Sequence, residues 1–103
     1  MKAPLLTYFD GLPAPVTEYR FDPVRRWRWD LAWRPYWIAA EIQGGSWTGG
    51  RHTRGKGYAN DCEKLNAGQL AGWLVLWFTP EQVESGHARA VVEQALRAKG
   101  WTP

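Results

Sequence analysis

The chain predicts an α/β fold built on a mixed four-stranded sheet with helices on both faces. Three observations carry this. Segments 17–22, 25–33 and 37–43 alternate apolar and polar residues at the two-residue period of a strand. WLVLWFT, at 73–79, is apolar at every position but the last, which suits a central strand covered on both sides. Segments 58–72 and 80–100 repeat apolar residues at helical spacing, and the first of them separates the third and fourth strands. A helix in that place forms a right-handed crossover and sets the fourth strand parallel to the third.

Taken in order, the N-terminal stretch supports a weak helix at best, and TEYRFD, RRWRWDLAW and WIAAEIQ follow as antiparallel strands. Arg34, Pro35 and Tyr36 read as the hairpin turn between the last two. Residues 44–57 carry no apolar periodicity and form a long glycine-rich basic loop, a feature that small domains keep for function or leave disordered. In 58–72, Tyr58, Cys62, Leu65 and Gln69 share a helical face, with Asn60 or Asp61 as the cap and Gly72 as the stop. The last segment starts with Pro80 at the first helical position and places Ala88, Val91, Val92, Ala95 and Leu96 on one stripe, with Gly86 as a point of division.

A chain of 103 residues buries one two-layer core, so 1–103 is read as a single domain with its core over about 11–97. The net charge of +3 comes from nine arginines and four lysines, many of them between Arg20 and Lys64. That local excess favours a phosphate-rich partner, although composition alone leaves a generally soluble basic surface equally open. The single cysteine, Cys62, excludes an intramolecular disulfide, and with only His52 and His87 beside it a structural zinc site is disfavoured. Cys62 reads as a small buried residue in a reducing compartment. The stretch MKAPLLTYFDGLPAP lacks the unbroken apolar run of a signal peptide, and no segment approaches a membrane span. The expectation is a cytoplasmic protein.

The chemistry centres on two acids. In 25–33 the odd positions Trp27, Trp29, Leu31 and Trp33 are apolar and the even ones mostly charged, which puts Asp30 on the face away from the tryptophans. In 37–43, Trp37, Ala39, Glu41 and Gln43 share one face. An even hairpin loop, with Ala32 opposite Ala39, brings Asp30 opposite Glu41; an odd loop sends Glu41 to the other side. Facing carboxylates about 5 Å apart repel by roughly 3 kcal/mol at an effective dielectric of about 20, so a cation belongs between them. A Mg²⁺ ion on the two acids, with open positions for water and a phosphate oxygen, suits phosphoryl chemistry. Arg28 is the alternative source of positive charge.

Gly50 through Lys56 spells GxxxxGK, most of a nucleotide-binding P-loop. The next residue is Gly57 where that motif needs Ser or Thr, and the preceding strand ends well before the loop. The residues fit better as a clamp on a polynucleotide backbone: Arg51, His52, Arg54 and Lys56 for phosphates, glycines for close approach, and Trp47 to stack on or wedge beside a base. A solvated loop with Trp47 folded onto the core is the plain alternative. His52 could serve as general acid, proton shuttle or one more phosphate contact. Asp61 and Lys64, three apart on the next helix, read first as a surface ion pair.

Together, TEYRF, RRWRWDLAW, IAAEIQGG, GRHTRGKGYANDCEKLNAGQLAGW and VLWFT resemble the PD-(D/E)XK nuclease superfamily over about residues 11–97. The likeness is nearest to small phage-type endonucleases related to the very-short-patch repair group. It implies a restriction-endonuclease-like core in which Asp30 and Glu41, with the Ile42 carbonyl, ligate one or two Mg²⁺ ions that activate water against a DNA phosphodiester; Mn²⁺ would substitute. Glu18 matches an upstream acid that often completes the metal site, though an edge-strand salt bridge also accounts for it. The superfamily's lysine two residues after the glutamate is Gln43 here, and Lys64, from the following helix, is the candidate to fill its space.

The implied function is a Mg²⁺-dependent endodeoxyribonuclease acting on branched or otherwise structured DNA, such as a Holliday junction, or nicking duplex DNA. The catalytic set is Asp30, Glu41, Gln43, Lys64 and His52; the DNA-binding set is Arg28, Trp47, Arg51, His52, Arg54 and Lys56. Exposed tryptophans leave room for a homodimer that would cut two strands. The alternative is a catalytically inactive nucleic-acid-binding module of the same fold.

Overall fold

The computed structural model describes residues 1–43 and 55–103. A 3₁₀ turn at Leu5–Phe9 precedes the strands β1 (Val16–Arg20), β2 (Arg28–Trp33) and β3 (Ile38–Ile42). Helix α1 (Gly55–Leu70), strand β4 (Leu74–Phe78) and helices α2 (Pro80–Glu84) and α3 (His87–Ala98) follow. The sheet order is β1-β2-β3-β4, antiparallel except for the parallel β3–β4 pair that α1 connects. This is the mixed sheet that the alternation and the crossover segment predict.

Each face of the sheet carries its own core. On one, Leu31, Trp33, Ile38, Ala40 and Phe78 meet Val83 of α2, Ala88, Val92 and Leu96 of α3, and Phe9 of the N-terminal turn. On the other, Trp29, Ala32, Ala39, Trp73 and Val75 pack with Leu65 of α1. The core reaches past 11–97 at both ends, because Phe9 is buried in it and Leu5, Tyr8 and Trp101 pack against it. Among the described residues no helix is long and apolar enough to cross a membrane.

The C-terminal helices form where the sequence signals them. Thr79 accepts from the Gln82 backbone N–H while the Gln82 side chain accepts from the Thr79 N–H, a reciprocal cap on α2 with Pro80 behind it. Gly86, at φ 89°, divides α2 from α3 in the left-handed region that glycine enters without strain.

Four expectations are corrected. Strand β4 is an edge strand, with Trp77 40% and Leu74 36% exposed; the doubly covered strand is β3, whose Ile38 to Ala40 are fully buried. Helix α1 starts at Gly55, so residues 55–57 belong to it and Asn60 and Asp61 are interior positions, not caps. Its inward side holds Lys64, Leu65 and Gly68, while Tyr58 and Gln69 are exposed and Cys62 is only half-buried. The early helix start does not restore a P-loop, because residues 43–54 separate it from β3 and Gly57 follows Lys56. Trp29 and Trp33 lie on opposite faces of the sheet, so Asp30 does not stand apart from all the tryptophans.

The change of face in β2 has a partner in β1. Thr17 pairs with Leu31 and Tyr19 with Trp29, so Glu18 stands opposite Asp30, and Glu18 has φ 51°. A left-handed backbone costs an L-residue roughly 1–2 kcal/mol, against about 0.5–1 kcal/mol for the extra chain entropy of glycine. Glu18→Gly is therefore expected to stabilise the fold by up to about 1 kcal/mol, a thermal shift of several degrees measurable by calorimetry. A lower melting temperature would mean that the Glu18 side chain contributes more than its backbone costs.

Candidate active site

The β2–β3 hairpin takes the even register: Ala32 faces Ala39 and Trp33 faces Ile38 around a four-residue turn, Arg34 to Trp37. Trp37 closes that turn at φ 56°, and its carbonyl accepts the Leu74 N–H at 2.8 Å, tying the turn to β4. The same register, continued one step past Leu31–Ala40, sets Asp30 opposite Glu41. There the two acids bracket each other's strands. The Asp30 N–H donates to Glu41 Oε2 at 2.8 Å, and the Ile42 N–H donates to Asp30 Oδ2 at 2.7 Å.

The cation that this pairing requires is Lys64. Its Nζ donates to Glu41 Oε1 and sits 5.2 Å from the centroid of the Trp29 ring. Arg28, the other candidate, is exposed at the end of β2 and faces Arg20 across the strands. Asp61 is exposed, so the expected pair between it and Lys64 is replaced by the one with Glu41. Burial pushes the Glu41 carboxyl above its ordinary value and the charge of Asp30 adds to the rise; Lys64 and the Asp30 N–H pull against both.

Lys64 reaches this position because α1 lies unusually close to the sheet. At Gly68, one turn further along α1, an added Cβ would come within 2.3 and 2.4 Å of Trp29 Cζ2 and Cη2. Trp29 is fully buried, stacked on Phe21 at 3.8 Å and 3°, with Trp73 edge-on at 6.3 Å. Phe21 stacks in turn on Trp27, and the Arg25 guanidinium lies over the Trp27 ring at 4.9 Å. The Trp29 Nε1–H has no acceptor among the described residues.

Of the residues singled out in the sequence, Asp30, Glu41 and Lys64 come together, with Ile42 joined through its backbone N–H. The Gln43 N–H donates to the Phe78 carbonyl at 2.7 Å and prolongs the parallel ladder beyond Ile42. Glu18 is exposed, and among the described residues no group of three or more His, Cys, Asp or Glu side chains gathers to hold a metal. Trp47, Arg51, His52 and Arg54 lie outside the described residues, as does the side chain of Lys56.

The donor set nonetheless suits a hard divalent ion. Asp30 Oδ1 accepts no hydrogen bond among the described residues, while the Ile42 carbonyl and Glu41 are further oxygen donors nearby in sequence and register. Mg²⁺ is usually held by one or two carboxylates and completed by water and substrate phosphate. Sequence reasoning missed Trp77, which pairs with Glu41 in the parallel ladder and is 40% exposed. The signal was its odd-numbered phase with Trp73 and Val75, obscured by taking the whole run as covered. Compared with protein-family models, with curated proteins and with solved structures, the chain matches none.

Proposed function

We propose that this chain is a Mg²⁺-dependent endodeoxyribonuclease that hydrolyses phosphodiester bonds in branched or otherwise structured DNA, or nicks duplex DNA. The observation that carries the reading is the meeting of Asp30, Glu41 and Lys64: two acids fixed on adjacent strands, with an ammonium delivered by a separate helix. Asp30, Glu41 and the Ile42 carbonyl would hold the ion, which supplies Lewis acidity and water activation when bound.

The protein's own groups do the rest. Lys64 opposes the rise that burial gives the Glu41 carboxyl and places a positive charge where a phosphate gains negative charge in the transition state. Trp29 and the Phe21 stack hold α1 and its lysine against the strands. Beyond them, Arg20, Arg25, Arg26 and Arg28 crowd the end of the β1–β2 hairpin, with Arg20 directly opposite Arg28. Like charges facing each other across a sheet are unfavourable alone, and a polyanionic backbone laid over them relieves the repulsion.

Incubating the purified protein with supercoiled plasmid and with a four-way junction, in Mg²⁺, Mn²⁺ or EDTA, tests the reading. Cleavage is expected with either metal and none with EDTA. Binding to every substrate with no cleavage under any condition would identify a catalytically inactive nucleic-acid-binding module instead.

A further inference from the structure

Among the described residues, the tryptophans are nearly all accounted for by rings or guanidinium groups. Trp27, Trp29, Trp37 and Trp73 belong to the aromatic set on the α1 face, Trp33 meets Phe9 edge-on, and Trp101 lies under Arg97. Among the described residues Trp77 alone has neither a ring partner nor a cation over it, and 40% of it is exposed.

Its position gives that exposure a meaning. Ala39 and Val75 are register partners buried together on the α1 face, and Glu41 and Trp77 are the partners two residues further on. Parallel partners share a face, so the indole stands beside Glu41 on the side where Lys64 arrives. Because β4 is the sheet edge, no further strand among the described residues covers its flank. An indole next to phosphodiester chemistry offers a flat apolar surface of nucleobase size, and such stacking is indifferent to base identity.

We infer that Trp77 is a stacking platform for an unpaired nucleobase flanking the scissile phosphate, which makes single-stranded or locally unpaired DNA the preferred substrate over intact duplex. This inference rests on the nuclease reading and specifies its substrate. A base inside a matched duplex is already stacked on its neighbours and must be pulled out to reach the ring; an unpaired base reaches it without that cost.

The test uses a short single-stranded oligonucleotide carrying 2-aminopurine, and the matched duplex of the same sequence, with the full chain in EDTA so that binding is read without cleavage. Wild type should quench the 2-aminopurine fluorescence of the single strand and bind it more tightly than the duplex. Trp77→Phe should retain most of both effects, and Trp77→Ala should lose the quench and about tenfold or more of the single-strand affinity, since stacking on an aromatic ring is worth about that much. Thermal melts accompany each variant.

Wild-type binding with no preference for the single strand, or a quench that survives in Trp77→Ala, overturns the inference and leaves the nuclease reading standing. A Trp77→Ala chain that melts far below wild type, or changes from dimer to monomer with base preference intact, also overturns it by making Trp77 a packing or protein-contact residue. Failure of wild type to bind either probe overturns the inference, and the cleavage assay on plasmid and four-way junction then decides the nuclease reading by itself. Trp77-dependent binding without cleavage in Mg²⁺ supports the platform and removes only the enzymatic reading.

Discussion

Lys64→Met is expected to lower the melting temperature markedly at pH 8 and much less near pH 4, and to reduce cleavage by about 100-fold or more. Methionine keeps a long stem beside Trp29 and removes the ammonium, so the loss reports charge more than packing. Breaking a fully buried pair costs roughly 3–5 kcal/mol. The Lys64 and Glu41 side chains are 21% and 12% exposed, which brings the expected cost nearer 2 kcal/mol, or roughly 10 °C.

The pH dependence follows from Glu41. Its folded pKa already lies above the ordinary 4.5, and removing Lys64 takes away the cation that opposes the rise. Between the unfolded and the raised folded value, the folded variant holds a proton that the unfolded chain has released, so stability falls as pH increases through that window. Above the folded value the penalty is complete; below the unfolded value Glu41 is protonated in both states and the deficit closes. Melting curves across that range are the measurement. A deficit independent of pH would leave Lys64 a packing role only, and full cleavage by Lys64→Met with loss in Gln43→Ala would move the chemical role to Gln43.

Gly68→Ala should destabilise the protein by about 1–3 kcal/mol, the reverse of what the same change does at most helical sites. Alanine ordinarily gains about 1 kcal/mol over glycine within a helix. Here the new methyl meets the Trp29 ring at 2.3 Å, and that ring is fully buried with Phe21 stacked on it and Trp73 edge-on. The helix must lift, and Lys64 lifts with it, so cleavage should fall along with stability. Denaturant titration of Gly68→Ala beside Asn66→Ala, an exposed site on the same helix, separates the two effects. A stabilised Gly68→Ala chain would show that α1 does not press on Trp29.

Much of this was readable in the sequence because it depends on local pattern. Strand alternation located β1 to β3, and the even loop brought Asp30 to Glu41. Pro80 and Gly86 divided the C-terminal helices where they do divide. What the pattern concealed was set by tertiary contact. The side of α1 that faces the sheet carries Leu65 between a lysine and a glycine, residues that add nothing to an apolar stripe, so Tyr58 and Gln69 drew the face the wrong way. Gly55 and Gly57 are poor helix formers, which hid the first turn of α1. Strict alternation in RRWRWDLAW put Trp29 and Trp33 on one face, whereas the strand changes phase beside Asp30, where Glu18 leaves the extended region. An apolar run is also no proof of a central strand, as β4 shows with Leu74 and Trp77 in the open.

The bracket between Asp30 and Glu41 bears on how the chain folds as well as on what it holds. The two acids are 11 residues apart, and Lys64 lies a further 23 beyond Glu41. The hairpin can therefore close before the helix arrives, but at neutral pH it does so against its own charge repulsion, and only docking of α1 removes that opposition. Hairpin and helix are thereby coupled into one cooperative unit. A partly folded chain gains little from forming the acidic pair early, and the site takes shape only as the whole molecule does.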